Sequence, residues 1–398
     1  MTAEVISKPV AKAATSFIPL CVPHISGREW EYVKECLDTG WVSSVGSYVT
    51  RFERMTADYV GAQHAVAAVS GTAALHTALL VAGVKENDEV LVSSLSFIAP
   101  ANAIRYCGAW PVFVDVTTDY WQMDQELVAE FLKTKCRWTN GELINNETSR
   151  RVSAIVPVHI LGHPVDIDPI LELAREYRLP VVEDATESLG ATYKGKKAGH
   201  LGDIACFSFN GNKLITTGGG GMIVTDNSEW AARAKYLTTQ AKDNEVEYIH
   251  ESIGYNYRLT NVQAALGCAQ LEQISEFIEK KRSIVRHYES AFSSVAGLSP
   301  MPRASWADPV FWLYTILVDE AIYGEDSRAL MSRLAQNNIQ ARPLWQPLHR
   351  SPAHSGAQSV GGEVAERLNR IALSLPCSVG IEPHELESVV EVISARHG

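Results

Sequence analysis

Between Asp203 and Asp226 the only formal charge is Lys213, set among small and apolar residues and followed by four consecutive glycines, Gly218 to Gly221. A lysine in such surroundings either snorkels its ammonium out to water or is held in a pocket where desolvation favours the neutral amine. A neutral amine is a nucleophile, and Schiff-base chemistry with a carbonyl cofactor needs one; pyridoxal 5′-phosphate is the commonest such partner. That cofactor needs two further things: an acid that keeps its ring nitrogen protonated, and backbone N–H and hydroxyl donors around its phosphate. Asp184 ends the apolar run Leu179 to Val182, which predicts a buried strand, so its carboxylate falls at a strand's C-terminal end, where open α/β sheets bind ligands. Ser70-Gly71-Thr72 lies between a predicted strand and a predicted helix, where backbone N–H groups and small residues make an anion site. Each feature alone has an ordinary reading: a surface lysine, a turn aspartate, a plain connector. Their combination points to pyridoxal chemistry.

The elements that must position these residues follow from hydrophobic pattern. Strands are predicted at 65–69, 89–92, 111–115, 153–158, 180–184, 204–209 and 222–225, with helices at 73–82, 99–106 and 169–178 among the segments between them. Strands separated by helix-length segments imply a mostly parallel sheet with helices on both faces. Upstream, Ser26-Gly-Arg-Glu29 reads as a capping box opening a helix that buries Trp30, Val33 and Leu37. Asp168 and Pro169 read as the cap and first position of the helix at 169–178. From Asn261 a long amphipathic helical pattern leads from a large domain, 17–270, to a smaller one, 271–398, after a flexible tail at 1–16. The smaller part holds the strand-like FWLYTILV, a helix near 326–336 and a closing helix after Pro383.

The runs EDATESLGA, GDIACFSFNGNK and TTGGGGMIVTD, followed by GYNYRLTNVQAALGCAQLEQ, resemble the DegT/StrS family of sugar aminotransferases, and the similarity extends from about Ile18 to the C-terminus. The resemblance implies fold-type I, an aspartate aminotransferase-like α/β architecture: a large domain around a mixed, mostly parallel seven-stranded sheet plus a smaller C-terminal α+β domain. It implies that Lys213 and Asp184 are catalytic and that Gly71, Thr72 and Ser208 hold the phosphate of pyridoxal 5′-phosphate. Phe97 would lie against the pyridine ring, and Asn256 would reach the phosphate of a neighbouring subunit in a homodimer with shared sites. Glu187 departs from the glutamine many members carry near the cofactor's phenolic oxygen. Trp41 and Ser43 fall in a substrate-side loop, with Tyr255 and Arg258 in the block around Asn256. Related dehydratases carry histidine in place of the lysine, so Lys213 favours amino transfer.

Two other groups of residues stay open on the residues alone. His159, at the end of the run SAIVPV, reads as a core histidine or as one behind or facing the substrate. Arg342, Trp345 and His349 mix a cation with aromatics, as a nucleotide or phosphate contact needs, and equally suit a surface loop. The segments GWVSSVG and RPLWQPLH resemble those of enzymes that aminate C4 of nucleotide-linked, in particular UDP-linked, 4-keto-6-deoxy-2-acetamido sugars, with glutamate as donor, for bacterial glycan and lipopolysaccharide synthesis.

Composition bounds the alternatives. The chain has 398 residues, 46% hydrophobic and 20% charged, with net charge −11 and no Lys/Arg-rich block, which argues against a nucleic-acid partner. Seven scattered cysteines without C-x-x-C or zinc-type spacing read as reduced thiols of a cytoplasmic protein and offer no metal site. No secretory apolar segment follows Lys8 and Lys12, and the apolar stretch 65–84 is better read as strand, turn and buried helix than as a membrane span. GATYKGK at 190–196 fits a P-loop only until Lys197 occupies the Ser/Thr position, and the run Gly218 to Gly221 lacks the spacing of a dinucleotide-binding turn.

Overall fold

The predicted alternation of strand and helix builds one continuous sheet. In the computed structural model, which describes residues 17–244 and 246–395, seven strands form at His64–Ala68, Glu89–Ser93, Trp110–Val114, Val152–Val156, Val182–Asp184, Ile204–Ser208 and Gly221–Thr225. Most of their side chains are buried on both faces, which is why most of them read as largely apolar runs without alternation. Spatially the order is 64–68, 221–225, 204–208, 182–184, 152–156, 89–93, 110–114; single bridges at Ile155 with Val181 and Val158 with Asp184 join the two halves. Only Gly221–Thr225 runs against the others. The expected tail at 1–16 lies outside the described residues.

An eighth strand, Gln358–Val360, adds in parallel to the edge strand Trp110–Val114 and comes from the C-terminal part of the chain. Its anchor is Asp115, only 2% exposed. The Asp115 amide donates to the Val360 carbonyl at 2.9 Å. Its carboxylate accepts from the amides of Gly362 at 2.7 Å and of Val364 and Ala365 at 3.0 Å each. Those amides open the helix Glu363–Ile371, whose own N-cap, Gly362, has no side chain to offer, so a distant aspartate performs the capping.

The C-terminal part carries an antiparallel sheet ordered Leu298–Pro300, Tyr314–Val318, Ala372–Leu375, Arg342–Pro343, with the helices Ser327–Gln336 and Pro383–Ser394. The long helical pattern from Asn261 is two helices, Asn261–Glu272 and Ile274–Phe292, broken at Gln273. Among the described residues no helix is long and apolar enough to cross a membrane.

Two local expectations are corrected. The helix Glu29–Thr39 buries Glu29, Tyr32 and Cys36 and leaves Trp30 and Leu37 exposed at 77% and 59%. It packs on Asn261–Glu272 through hydrogen bonds, Gln270 Nε2 to Glu29 Oε1 and Tyr32 O–H to Glu272 Oε1, so a polar seam outranks the apolar stripe. Ser26 caps nothing; its hydroxyl donates to Gln273 Oε1. The helix Ile167–Glu176 starts earlier than expected, and Asp168 lies in its first turn, paired with Lys194 at 2.7 Å.

Asp115→Ala leaves the amides of Gly362, Val364 and Ala365 without their acceptor, the first and last of them buried, so it should destabilise the protein by roughly 2–4 kcal/mol, and Asp115→Asn by less. Denaturant midpoints check this. An Asp115→Ala midpoint equal to the parent's would contradict the anchoring role.

Candidate active site

Parallel strands deliver their C-terminal ends to one edge of the sheet, and alternation along a strand decides which side chains enter the site. On Val182–Asp184, Glu183 and Asp184 point opposite ways. Glu183 accepts hydrogen bonds from the amides of Gly199, Leu201 and Gly202 and from His159 Nε2 at 2.8 Å. Burial pushes its carboxyl up, but the His159 bond and these amides outweigh that and hold it below the usual carboxylate range. His159 Nδ1 accepts from the Val165 amide at 3.0 Å, which leaves the ring proton on Nε2, facing Glu183. His159 is thus fully buried among protein partners.

Asp184 faces the other way, into a cavity of about 300 Å³ that Lys213, Glu187, Ser208, Phe97 and the turn Ser70 to Thr72 also line. Its carboxylate accepts from the Thr186 amide at 3.1 Å. Burial pushes its pKa up, opposed by Thr186 and by the Lys213 charge. Glu187 behaves likewise: burial raises it, against the attraction of Lys213 and the hydrogen bond from Leu161. Glu187 Oε2 accepts from the Leu161 amide at 2.7 Å, which leaves Oε1 to face Lys213 Nζ at 3.5 Å.

The loop that supplies this amide is strained. Leu161 adopts φ 59°, ψ 11°, a left-handed conformation costly for a branched residue. At the neighbouring Gly162, φ 86°, a Cβ would lie 3.0 Å from both the Glu187 carbonyl oxygen and the Trp312 nitrogen, so glycine is required for three backbones to meet there. The Trp312 indole lies over Lys213 Nζ at 3.8 Å, its Nε1 donates to the Asn212 carbonyl at 2.6 Å, and it stacks on Trp345 at 6.1 Å. Lys213 is therefore enclosed by a ring face and a carboxylate, with 13% of its side chain exposed.

At the other end of the cavity the helix Gly71–Val81 begins, N-capped by Ser70, whose hydroxyl accepts from the Ala73 amide at 3.1 Å. A Cβ on Gly71 would sit 2.8 Å from Ser208 Cβ, and one on Gly221 2.5 Å from the Ser70 carbonyl oxygen. Two glycines thus let two strand ends close on the helix start, leaving amides and the Ser208 hydroxyl around a small space. Anion donors at one end, a buried aspartate deeper in, one enclosed amine and aromatic walls fit a phosphate-bearing pyridoxal.

The structure brings together Asp184, Glu187, Lys213, Gly71, Thr72, Ser208, Phe97 and Trp345. It does not bring in the others within one chain. Trp41 and Arg258 line a separate opening of about 690 Å³, and Asn261, whose amide donates to the Ser43 carbonyl at 2.6 Å, holds that loop. Asn256 is exposed, and Tyr255 stacks on Tyr257 at 4.9 Å. Arg342 lines a cavity of about 740 Å³ that shares Asn212, Trp312 and Trp345 with the Lys213 cavity. His349 bonds Glu366 at 3.1 Å, outside both. Trp312, Thr186 and the Leu161 amide were not expected from sequence; Trp312 in particular sits in a run read only as strand, and the strand begins after it, at Tyr314.

The pattern that defines the DegT/DnrJ/EryC1/StrS aminotransferase family matches residues 23–394. GDP-perosamine synthase of Caulobacter vibrioides is 38% identical over 377 residues, covering 94% of this chain and 97% of that protein. UDP-4-amino-4-deoxy-L-arabinose–oxoglutarate aminotransferase of Shewanella sediminis is 31% identical, covering 96% and 98%. The crystal structure of DesI in the presence of its TDP-sugar product superposes with a TM-score of 0.86 at 28% identity, covering 96% of this chain and 94% of that one.

The raised Glu187 carboxyl has a sign that can be measured. A raised folded-state pKa contributes stability that is fully present below the unfolded value, about 4.3 for glutamate, and is lost as pH rises through the folded value. Glu187→Gln keeps an oxygen for the Leu161 amide and abolishes the ionisation. After removal of bound cofactor, the variant should unfold at a higher midpoint than the parent at pH 8, with the gap closing toward pH 4. A gap independent of pH would contradict this.

Proposed function

The chain belongs to the DegT/DnrJ/EryC1/StrS aminotransferase family and is a pyridoxal phosphate-dependent sugar aminotransferase, and we propose that it moves the amino group of glutamate to C4 of a nucleotide-linked 4-keto-6-deoxy sugar. The observation that carries the reaction type is the enclosure of the Lys213 amine between Trp312 and Glu187 in the cavity that Asp184 closes. Bound pyridoxal phosphate supplies an aldehyde carbon that takes up an amine and a ring that accepts the electrons left when a C–H proton departs. Everything else falls to side chains. Asp184 would keep the ring nitrogen protonated. The Gly71 and Thr72 amides and the Ser208 hydroxyl would hold the phosphate, and Phe97 would pack on the ring. The Lys213 amine would take the proton from the α-carbon of glutamate and return one to the sugar carbon. Trp312 and Trp345 keep water from the amine.

For the acceptor, a nucleotide sugar needs partners for a diphosphate, a base and a ring rather than a clamp built for a keto acid's carboxylate, and the Lys213 cavity is lined by aromatics, hydroxyls and amides. The adjoining cavity offers Arg342, Gln340, Gln346 and Asn369, polar groups suited to a diphosphate and a base. The resemblance of GWVSSVG and RPLWQPLH supports a UDP-linked 2-acetamido sugar made for a surface glycan. A GDP-linked 4-keto-6-deoxy sugar is the second reading, favoured by the 38% identity to GDP-perosamine synthase. We further take the working unit as a homodimer in which Asn256, exposed on one subunit, reaches the phosphate of the other, while Trp41, Ser43, Tyr255 and Arg258 meet the substrate across the same boundary.

Assaying kcat/KM with glutamate against UDP-, GDP- and dTDP-linked 3- and 4-keto sugars, and against oxaloacetate and pyruvate, decides the substrate. A nucleotide 4-keto sugar should exceed either free keto acid by at least a hundredfold, about 2.7 kcal/mol in transition-state binding. Efficient turnover of the free acids with none of the sugars would overturn the reading. For the shared site, mixing Lys213→Ala with Asn256→Ala subunits should restore activity through hybrid dimers with one intact site, and no recovery after verified subunit exchange would count against it.

A further inference from the structure

Lys281 is 1% exposed, on the helix Ile274–Phe292. Its Nζ donates to the Trp312 carbonyl at 2.8 Å and the Cys377 carbonyl at 2.6 Å, and also approaches two sulfurs, Cys377 Sγ at 3.4 Å and Cys21 Sγ at 3.7 Å. The ionisable groups that act on this ammonium are those two thiols. A buried ammonium held by two carbonyls still carries its charge, and that charge favours the thiolate form of the sulfurs beside it. The neighbouring Cys21 thiol and the Lys281 charge bring Cys377 down to about 6 against the effect of its burial. The backbone brings them together: the Cys377 amide donates to the Leu20 carbonyl at 2.8 Å and the Val22 amide to Ser378 Oγ at 3.0 Å. Cys21 is half-buried and lines the cavity of about 740 Å³ beside the Lys213 site, so a small solute reaches Cys21, while Cys377 lies behind it, 1% exposed.

We propose that Cys21, Cys377 and Lys281 form an oxidation site at which hydrogen peroxide closes a disulfide between the two cysteines. The Cys377 thiolate takes the proton of Cys21, whose sulfur lines the cavity and attacks a peroxide oxygen: an S–O bond forms, the O–O bond breaks, and the departing hydroxide takes the proton from Cys377 to become water. The second sulfur, now a thiolate, attacks the sulfenic sulfur; the S–S bond forms, the S–O bond breaks, and the leaving hydroxide takes a proton from Lys281. Two thiols are oxidised by two electrons and the peroxide is reduced to two waters. The change reaches the amino-transfer site. Cys21 loses the S–H that it donates to the Asn212 carbonyl at 3.3 Å, next to Lys213, and Lys281 loses the charge that grips the carbonyl of Trp312, the residue whose ring covers Lys213 Nζ.

The test is to treat the holoenzyme with a few equivalents of hydrogen peroxide, alkylate the remaining thiols, digest without reduction and analyse the peptides by mass. The expected product is a Cys21–Cys377 linked peptide two hydrogens lighter than its parts, abolished by dithiothreitol. Aminotransfer activity should fall several-fold as the link forms and return on reduction. In Cys21→Ser the link is absent and the ratio of treated to untreated activity rises toward one. Recovery of Cys21 and Cys377 as separately alkylated peptides while other cysteines oxidise would overturn the site. A complete link that leaves activity unchanged would overturn its tie to Lys213. The mass readout does not depend on which sugar the enzyme aminates.

Discussion

The contact on which the site depends is the enclosure of one primary amine. Lys213 Nζ lies 3.8 Å from the centre of the Trp312 indole and 3.5 Å from Glu187, with Asp184 lining the same cavity. Removing an ammonium from water is costly unless charge partners replace the solvent. A desolvated cation over an indole contributes on the order of 2 kcal/mol, which alone does not offset that loss; the carboxylates must supply the rest. They do so while their own burial pushes their pKa values up. The arrangement holds three ionisable groups in mutual tension, which suits a site where protons must move.

That tension is sustained by backbone. The loop Ile160–Gly162 accepts a left-handed leucine so that its amide can fix Glu187, and a glycine so that the Trp312 segment can close over it. The buried His159–Glu183 pair ties the start of this loop to the strand that carries Asp184. Lys281 fixes the Trp312 carbonyl from the far side. The strand Gly221–Thr225, running against its neighbours, presses Gly221 onto the helix start at Ser70. Each device sits at the C-terminal edge of the parallel strands or packs directly against it, so the fold determines where the chemistry happens.

What the sequence made legible was whatever is contiguous or periodic. The seven strands lie within a residue or two of their predicted bounds, because each is, or ends, an apolar run. Asp184, Lys213 and the turn at Gly71 mark themselves by being polar, charged or small where their neighbours are apolar. The strand Gln358–Val360 was illegible because its pairing depends on Asp115, far away in the chain, and its residues have no strand pattern. The same holds for Trp312, whose neighbours suggest only a strand, and for the helix Glu29–Thr39, where hydrogen bonds to Gln270 and Glu272 outrank the apolar spacing. Residues such as Trp41 and Arg258 line a separate opening away from Lys213 within the single chain, a separation that no contiguous or periodic pattern announces.

The central claim is that Lys213 alone among the chain's lysines bonds the cofactor. Reducing the purified protein with borohydride fixes the cofactor to whichever amine holds it, and peptide mass mapping then locates the label. The account predicts a phosphopyridoxyl group on the peptide containing Lys213 and on no other, including that of the more deeply buried Lys281. A label on any other lysine, or none on Lys213 in protein that carried cofactor before reduction, would contradict it.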